Sequence, residues 1–524
     1  MIGQTGSIAP PDRDAVAAAP VPTDTPPRRE PIMRRATPTL PVDRGGLARP
    51  GLARPDVGPS PDLEPRRDAD VARRPEPSAV AAGPHALRGR TLPERVEPTP
   101  RRPRILVVAH NHPAFHPGGT EIFAHDLFRA YRRAGAEALF VGATNRLHRE
   151  PHPGTSFQAV GDAVDELVLW NGHFDRFNMS QIDLYGVVPD IVALLETFRP
   201  DVVHVHHLML VGVEFLAVVR RICRDARIVM TLHDYYPICA NDGVLMKPDG
   251  SRCNGAARGG RCDCLPDVSP DRMLLRERHL KAHLAVVDAF VSPSEFLRDR
   301  YIDWGLDGSR IGVIANGRPL VPPTPHRAAG AGRRSVFGYF GNLNRWKGIV
   351  TLLEACRRLI AQGVDFEMRV HGGAPFQSDA FVAQLDDLFE ATRSHVVRLG
   401  PYHRDDVARL IEPVDWVVVP STWWENAPLV IQEAQLHRRP LIVSGIGGMA
   451  EMVRDGVDGL HVTPGDPLGL ARTMASAAAD SGLWRRLAGA AVPPPGIDEV
   501  AQRYFGLFDA LGAAAHGERR ELVL

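Results

Sequence analysis

Two glutamates stand eight positions apart in PSTWWENAPLVIQEAQLHRRP (residues 420–440), Glu425 just after an apolar DWVVVPS run and Glu433 further on. Asn426 suits an N-cap, Pro428 falls near a first turn where a missing N–H costs nothing, and Leu429 to Leu436 are good helix formers. The spacing therefore predicts a helix with Glu425 beside its start and Glu433 two turns in. First-turn amides are unpaired donors with partial positive charge, so Glu425 would border an anion site while Glu433 accepts hydroxyl protons. Carboxylates with amides in this arrangement suit a sugar nucleotide. An isolated glutamate pair is usually solvated surface. Here a buried strand, a Pro-Ser corner and a later Gly-rich turn, SGIGGMAE (Ser444–Glu451), supply a context for it.

Other residues have matching chemistry. Gly118 and Gly119 let backbone approach a ligand without Cβ interference, and Thr120 can cap a following helix whose start favours phosphate. Lys347, in GNLNRWKG after a strand, can neutralise a departing diphosphate. His233 ends the apolar run IVMTL, with Asp234 and Tyr235 beside it. His204, His206 and His207 cluster nearby, but strand alternation sends His204 and His206 to one face and His207 to the other, which disfavours a three-ligand metal site. Cys239, Cys253, Cys262 and Cys264 fall in one loop region (about 239–264), where a structural zinc and unliganded thiols are both open readings. Trp423 and Trp424 point differently, one suited to stacking on a sugar and one to filling an interface.

The glutamate segment resembles the EX7E motif of retaining glycosyltransferase family 4, a GT-B group. The resemblance covers residues 104 to about 515. It implies that Glu425 and His233 meet the transferred sugar, that Glu433 holds the ribose, and that Lys347 faces the diphosphate. Gly118, Gly119, Asn426, Ala427 and Leu429 would join the donor site, with Glu121, His206 and Asp234 on the acceptor side. Many members carry Arg directly after the first glycine of the lysine loop; Asn342 stands there, and Arg345 is the nearest substitute. The implied activity is transfer of a sugar from a nucleoside-diphosphate donor to a glycan or lipid-linked acceptor hydroxyl with the anomeric configuration kept. No cofactor is needed for the chemistry in such enzymes. A UDP-sugar epimerase of the same fold and a non-catalytic sugar-nucleotide-binding module are the alternatives.

The elements that must position these residues read as α/β. Apolar runs PRILVVAH, AEALFVG, DVVHVHH and ARIVMTLHD alternate with helical patterns such as Val188 to Phe198, and SVFGYFG, FEMRVHGG, VVRLG, DWVVVPS, PLIVSG and GLHVT form a second series. Two facing Rossmann-like, doubly wound parallel-sheet domains are expected at 104–317 and 335–497, and the resemblance implies that a helix at 498–515 crosses back to the first. Residues 1–103 hold 21 of the 47 prolines and 17 arginines against 13 acids, with no aromatic residue before Phe115. Such a stretch cannot bury enough apolar surface to offset its chain entropy, so a disordered extension is expected there. Hydrophobic residues make up 44% of the chain and the formal net charge is +0, which gives no electrostatic case for nucleic acid. No run of about 20 apolar residues could span a membrane. A cytoplasmic enzyme, able to touch the inner membrane face peripherally, is the expectation.

Overall fold

The computed structural model describes residues 102–255, 261–327 and 333–521. The expectation for the N-terminal extension falls outside the described residues, apart from its last two positions.

The first lobe is built on strands β1 (Arg104–Ala109), β2 (Glu137–Thr144), β3 (Phe157–Val160) and β4 (Ala163–Trp170). After a short hairpin, β5 (Phe174–Asp175) with β6 (Ser180–Gln181), come β7 (Val202–Val205), β8 (Arg227–Thr231), β9 (Ala289–Ser292) and β10 (Ile311–Val313). They order as β10-β9-β8-β7-β1-β2-β4-β3, parallel throughout except that β3 runs antiparallel to β4. The central strands are buried along almost their whole length because helices cover both faces, which is why they read as unbroken apolar runs.

The second lobe repeats the plan with β11 (Val336–Phe340), β12 (Glu367–His371), β13 (Val396–Gly400), β14 (Trp416–Val419), β15 (Leu441–Ser444) and β16 (Gly459–Val462), ordered β13-β12-β11-β14-β15-β16 and all parallel. The fold is the expected pair of Rossmann-like domains.

The last helix, Ile497–Glu521, returns to the first lobe. Its Val500, Tyr504 and Phe508 join Phe123, Phe128 and Tyr131 of the helix Gly119–Arg133 in one core cluster, and the Tyr504 hydroxyl pairs with Thr231 Oγ1 at 2.8 Å. The two chain crossings between lobes run side by side: Arg318 N donates to the Pro495 carbonyl and Ile497 N to the Arg318 carbonyl. Among the described residues, no helix is long and apolar enough to cross a membrane.

Candidate active site

Parallel strands leave their carboxyl ends on one side of each sheet, and loops from both lobes meet there in a cavity of about 480 Å³. Its walls include Gly118, Gly119, His233 and Asp234 of the first lobe and Lys347, Glu425, Asn426, Ala427, Leu429 and Glu433 of the second.

Glu425 sits in the loop after β14, 7% exposed. Its Oε1 lies 2.7 Å from Lys347 Nζ and accepts from Ser421 Oγ at 2.9 Å. Burial alone would raise this carboxyl, but the Lys347 ammonium, with the hydrogen bonds to the ionised form, outweighs it and holds the group below its ordinary value. Lys347 ends a short 3₁₀ turn, Arg345–Lys347, capped by Asn344, whose Oδ1 accepts from the amides of Trp346 and Lys347 at 3.0 and 2.9 Å. The turn closes at Gly348, whose φ of 74° and contact with the Pro420 carbonyl leave no room for a side chain. The Gly-rich turn after β15 supports the other side: Gly448 N donates to the Glu425 carbonyl at 2.8 Å, and a Cβ on Gly448 would overlap the Asn426 carbonyl.

Glu433 lies in the helix Leu429–Leu436. Arg318 Nη1 donates to its Oε1 at 2.9 Å, yet burial dominates and pushes the carboxyl above its ordinary value. Arg318 escaped sequence reasoning. It sits in the crossing between lobes, and nothing in the local pattern of NGRP marks it as a partner for a residue more than a hundred positions away. Arg404 also lines the cavity and reaches across the lobes to Asp126, at 2.8 Å.

On the first lobe, His233 Nε2 bonds His206 Nδ1 at 2.9 Å, and burial drops the His233 imidazole to about 3, so it is neutral at ordinary pH. Burial would raise Asp234, but His207 Nε2 at 2.9 Å outweighs it and brings the carboxyl to about 2.

Five residues are placed otherwise than the sequence predicts. Asn426 does not cap the helix: Pro428 occupies the cap position without a side-chain bond. Its Nδ2 instead donates to the His233 carbonyl at 2.7 Å, and its Oδ1 accepts from the Tyr235 hydroxyl, so the residue ties the lobes together. Thr120 likewise caps nothing, because the helix begins at Gly119 with Gly118 as its cap residue.

Arg345 faces away from the cavity, lying over Trp346 and lining a separate depression with Arg252. Glu121 and His206 are buried behind the cavity wall. Glu121 Oε1 is 3.1 Å from both His110 Nε2 and His116 Nδ1, and these imidazoles overcome burial to bring its carboxyl down to about 2. Trp423 faces Lys347, whose Nζ is 5.6 Å from its ring, while Trp424 packs on Phe296 at 5.0 Å; both touch the cavity.

The strand histidines divide as alternation requires, His204 to Thr231 and Tyr131, His206 to His233, and His207 to Asp234. Among the described residues, the three-group set compact enough to share an ion is a different one: His112, His125 and Glu166. Both Nε2 atoms point at Glu166 Oε2, at 2.9 and 2.8 Å. His112 Nδ1 accepts from the Ala114 amide at 3.2 Å, which leaves the proton of the neutral ring on Nε2, facing the carboxylate. The set is a hydrogen-bonded clamp. It joins the loop after β1, the helix Gly119–Arg133 and β4.

Residues 117–320 match the family model described as Glycosyltransferase Family 4, and residues 334–480 the one described as Glycosyl transferases group 1. The chain is 28% identical over 446 residues to D-inositol 3-phosphate glycosyltransferase of Xylanimonas cellulosilytica, covering 79% of this chain and 96% of that protein. It is 27% identical over 412 residues to glycogen synthase of Mycobacterium tuberculosis, covering 74% and 89%. Among solved structures, Anabaena Alr3699/HepE in complex with UDP and glucose superposes with a TM-score of 0.55 at 19% identity, covering 78% of this chain and all (100%) of that one. Sucrose-phosphate synthase of Thermosynechococcus elongatus gives 0.53 at 20% identity, covering 81% and 99%. With the two matched segments falling on the two lobes in order, and with this fold, the chain is a GT-B glycosyltransferase.

Proposed function

We propose that the chain transfers a sugar from a nucleoside-diphosphate donor to an acceptor hydroxyl with retention of anomeric configuration, in glycan, polysaccharide or glycolipid synthesis. The observation that carries the reading is the arrangement around one cavity of the half-buried Lys347 paired with buried Glu425, the Arg318-bound Glu433 and the backbone loop at Gly118 and Gly119. UDP with glucose in the Anabaena complex, and ADP in a complex of Arabidopsis thaliana starch synthase IV, support a nucleoside diphosphate as the carrier here.

In this account Lys347 meets the diphosphate as negative charge builds on the leaving oxygen, and the amides near Gly119 and Leu429 share that charge. Glu433 accepts from the ribose hydroxyls. Glu425 and the neutral His233 flank the transferred sugar, where positive charge develops as the glycosidic bond breaks. Glu425 Oε1 is held by Lys347 and Ser421, and Asp234 Oδ2 faces His207. The departing diphosphate then takes the acceptor's proton on the face it leaves.

Glu433→Gln exchanges a charge-assisted acceptor for a weaker neutral one, a loss of roughly 1–3 kcal/mol expected in donor affinity. Glu425→Gln should lower turnover with little change in donor affinity. Calorimetric titration with donor and rates at donor saturation separate them. A Glu425→Gln variant that binds donor poorly and reacts normally when saturated overturns the assignment.

A further inference from the structure

The segment between β8 and the helix Pro270–Leu284 has almost no regular structure; its described backbone holds one isolated bridge, Met246 with Arg252. Yet Cys239, Cys253, Cys262 and Cys264 all line a single cavity of about 230 Å³, walled otherwise by Leu245, Met246 and Met273 with Lys247 and Arg261 at its edge. All four are free thiols.

We propose that these four cysteines hold one structural zinc ion, and that the clamp so formed positions the loop bearing Glu425. Four sulfur ligands complete a tetrahedral site and leave no open position, as a structural metal requires. On binding, Zn²⁺ displaces one proton from each thiol; four protons pass to solvent and four Zn–S bonds form. The resulting tetrathiolate centre carries two net negative charges, in a lining that also holds Arg261 and Lys247, the latter 4.0 Å from Asp263.

Three of the sulfurs point to backbone carbonyls: Cys239 to Asn241 at 3.7 Å, Cys253 to Gly255 at 3.1 Å and Cys264 to Met246 at 3.2 Å. These are weak S–H bonds. As the side chains stand, no three of these sulfurs lie within 4.8 Å of one another, so forming the site requires turning the thiols inward by rotation between staggered side-chain wells, an exchange that metal–sulfur bonds compensate.

The segment reaches the active site directly. Trp424, adjacent to Glu425, donates its indole N–H to the Cys253 carbonyl at 3.1 Å, and Arg252 lies over the same ring at 5.2 Å. A metal that fixes Cys253 therefore fixes Trp424. This positioning role rests on the reading of Glu425 given above, whereas the metal site does not.

The test uses the full chain purified under reducing conditions without added metal. Elemental analysis should find about one zinc per chain, and exchange for Co²⁺ should give the visible ligand-field bands of a tetrahedral tetrathiolate. A reduced, folded sample with neither zinc nor those bands overturns the site, as does a disulfide among the four cysteines. For the clamp, Trp424→Phe should keep zinc, the Cys262→Ser/Cys264→Ser double variant should lose it, and both should lower turnover several-fold, with the combined variant no worse than either. A zinc-free double variant with full turnover overturns the positioning role. Should the double variant fail to fold, the cobalt spectrum of the unaltered protein still decides the metal site. Zinc bound in a protein without transferase activity would count against the proposed function alone.

Discussion

The chemistry of the cleft turns on a cation and a carboxylate that hold each other in place. Lys347 Nζ is 2.7 Å from Glu425 Oε1, and both are positioned by loops that tolerate no side chain at Gly348 or Gly448. The pair keeps a carboxylate ionised in a buried place, and on the proposed reading it keeps an ammonium aimed where the diphosphate departs. Lys347→Ala should therefore cut turnover by about 10²–10³ while donor affinity changes little, the size seen when one preorganised donor to a developing anion is removed. Lys347→Arg should recover part of the rate. Steady-state kinetics check this: an unchanged turnover number with only a raised Michaelis constant would assign Lys347 to ground-state binding instead.

Secondary-structure elements place these residues through polar ties that the sequence pattern does not announce. The Glu166 clamp fixes the loop that carries Gly118 and Gly119. The hydrogen bonds from His112 and His125, in that order of effect, hold the Glu166 carboxyl well below its ordinary value of 4.5. A depressed carboxyl contributes stability above that value and loses it as pH falls through the folded pKa. Glu166→Gln should then destabilise the fold by roughly 2–3 kcal/mol at neutral pH. Thermal denaturation across pH measures this: the gap between the two proteins should close in acid and be full above pH 4.5. A gap that widens on acidification would contradict the clamp.

Asn426 makes the corresponding tie between lobes, to the His233 carbonyl and the Tyr235 hydroxyl. Asn426→Ala should weaken catalysis at saturating donor by about tenfold, equivalent to about 1.4 kcal/mol. A rate equal to that of the unaltered protein would show that the tie is idle.

Most of the apolar runs were legible because parallel strands covered on both faces leave few polar positions to interrupt them, although β12 and the edge strand β13 carry Glu367, Arg369 and Arg398. β10, at three residues, is too short, and β3 and β4 lie too near the sheet edge, to give the same signal; β9 is as long and as buried as β7 and was passed over. The convergence of Glu425, Glu433 and Lys347 on one cavity was legible because their spacing and the order of elements coincide. Asn426 was misread as a cap because local spacing cannot show a partner nearly two hundred residues away, and Arg345 was misplaced because residue type does not show which way a 3₁₀ turn faces. Arg318 and Arg404 had no local signal at all.

At the scale of the whole molecule, two lobes with strand ends facing one cleft, joined by two adjacent crossings and a returning helix, bring acids and a lysine from one lobe against glycine and histidine loops of the other. On the proposed reading, that architecture brings a nucleotide-bound sugar on one lobe against an acceptor on the other. The most direct measurement is proton NMR of products formed from a panel of nucleoside-diphosphate sugars, with and without extracted glycan and lipid-linked acceptors. The account predicts nucleoside diphosphate release that depends on acceptor, and a product whose anomeric coupling matches the configuration of the donor. An inverted product would contradict retention, and an epimerised sugar appearing from donor alone would contradict transfer as the reaction of this site.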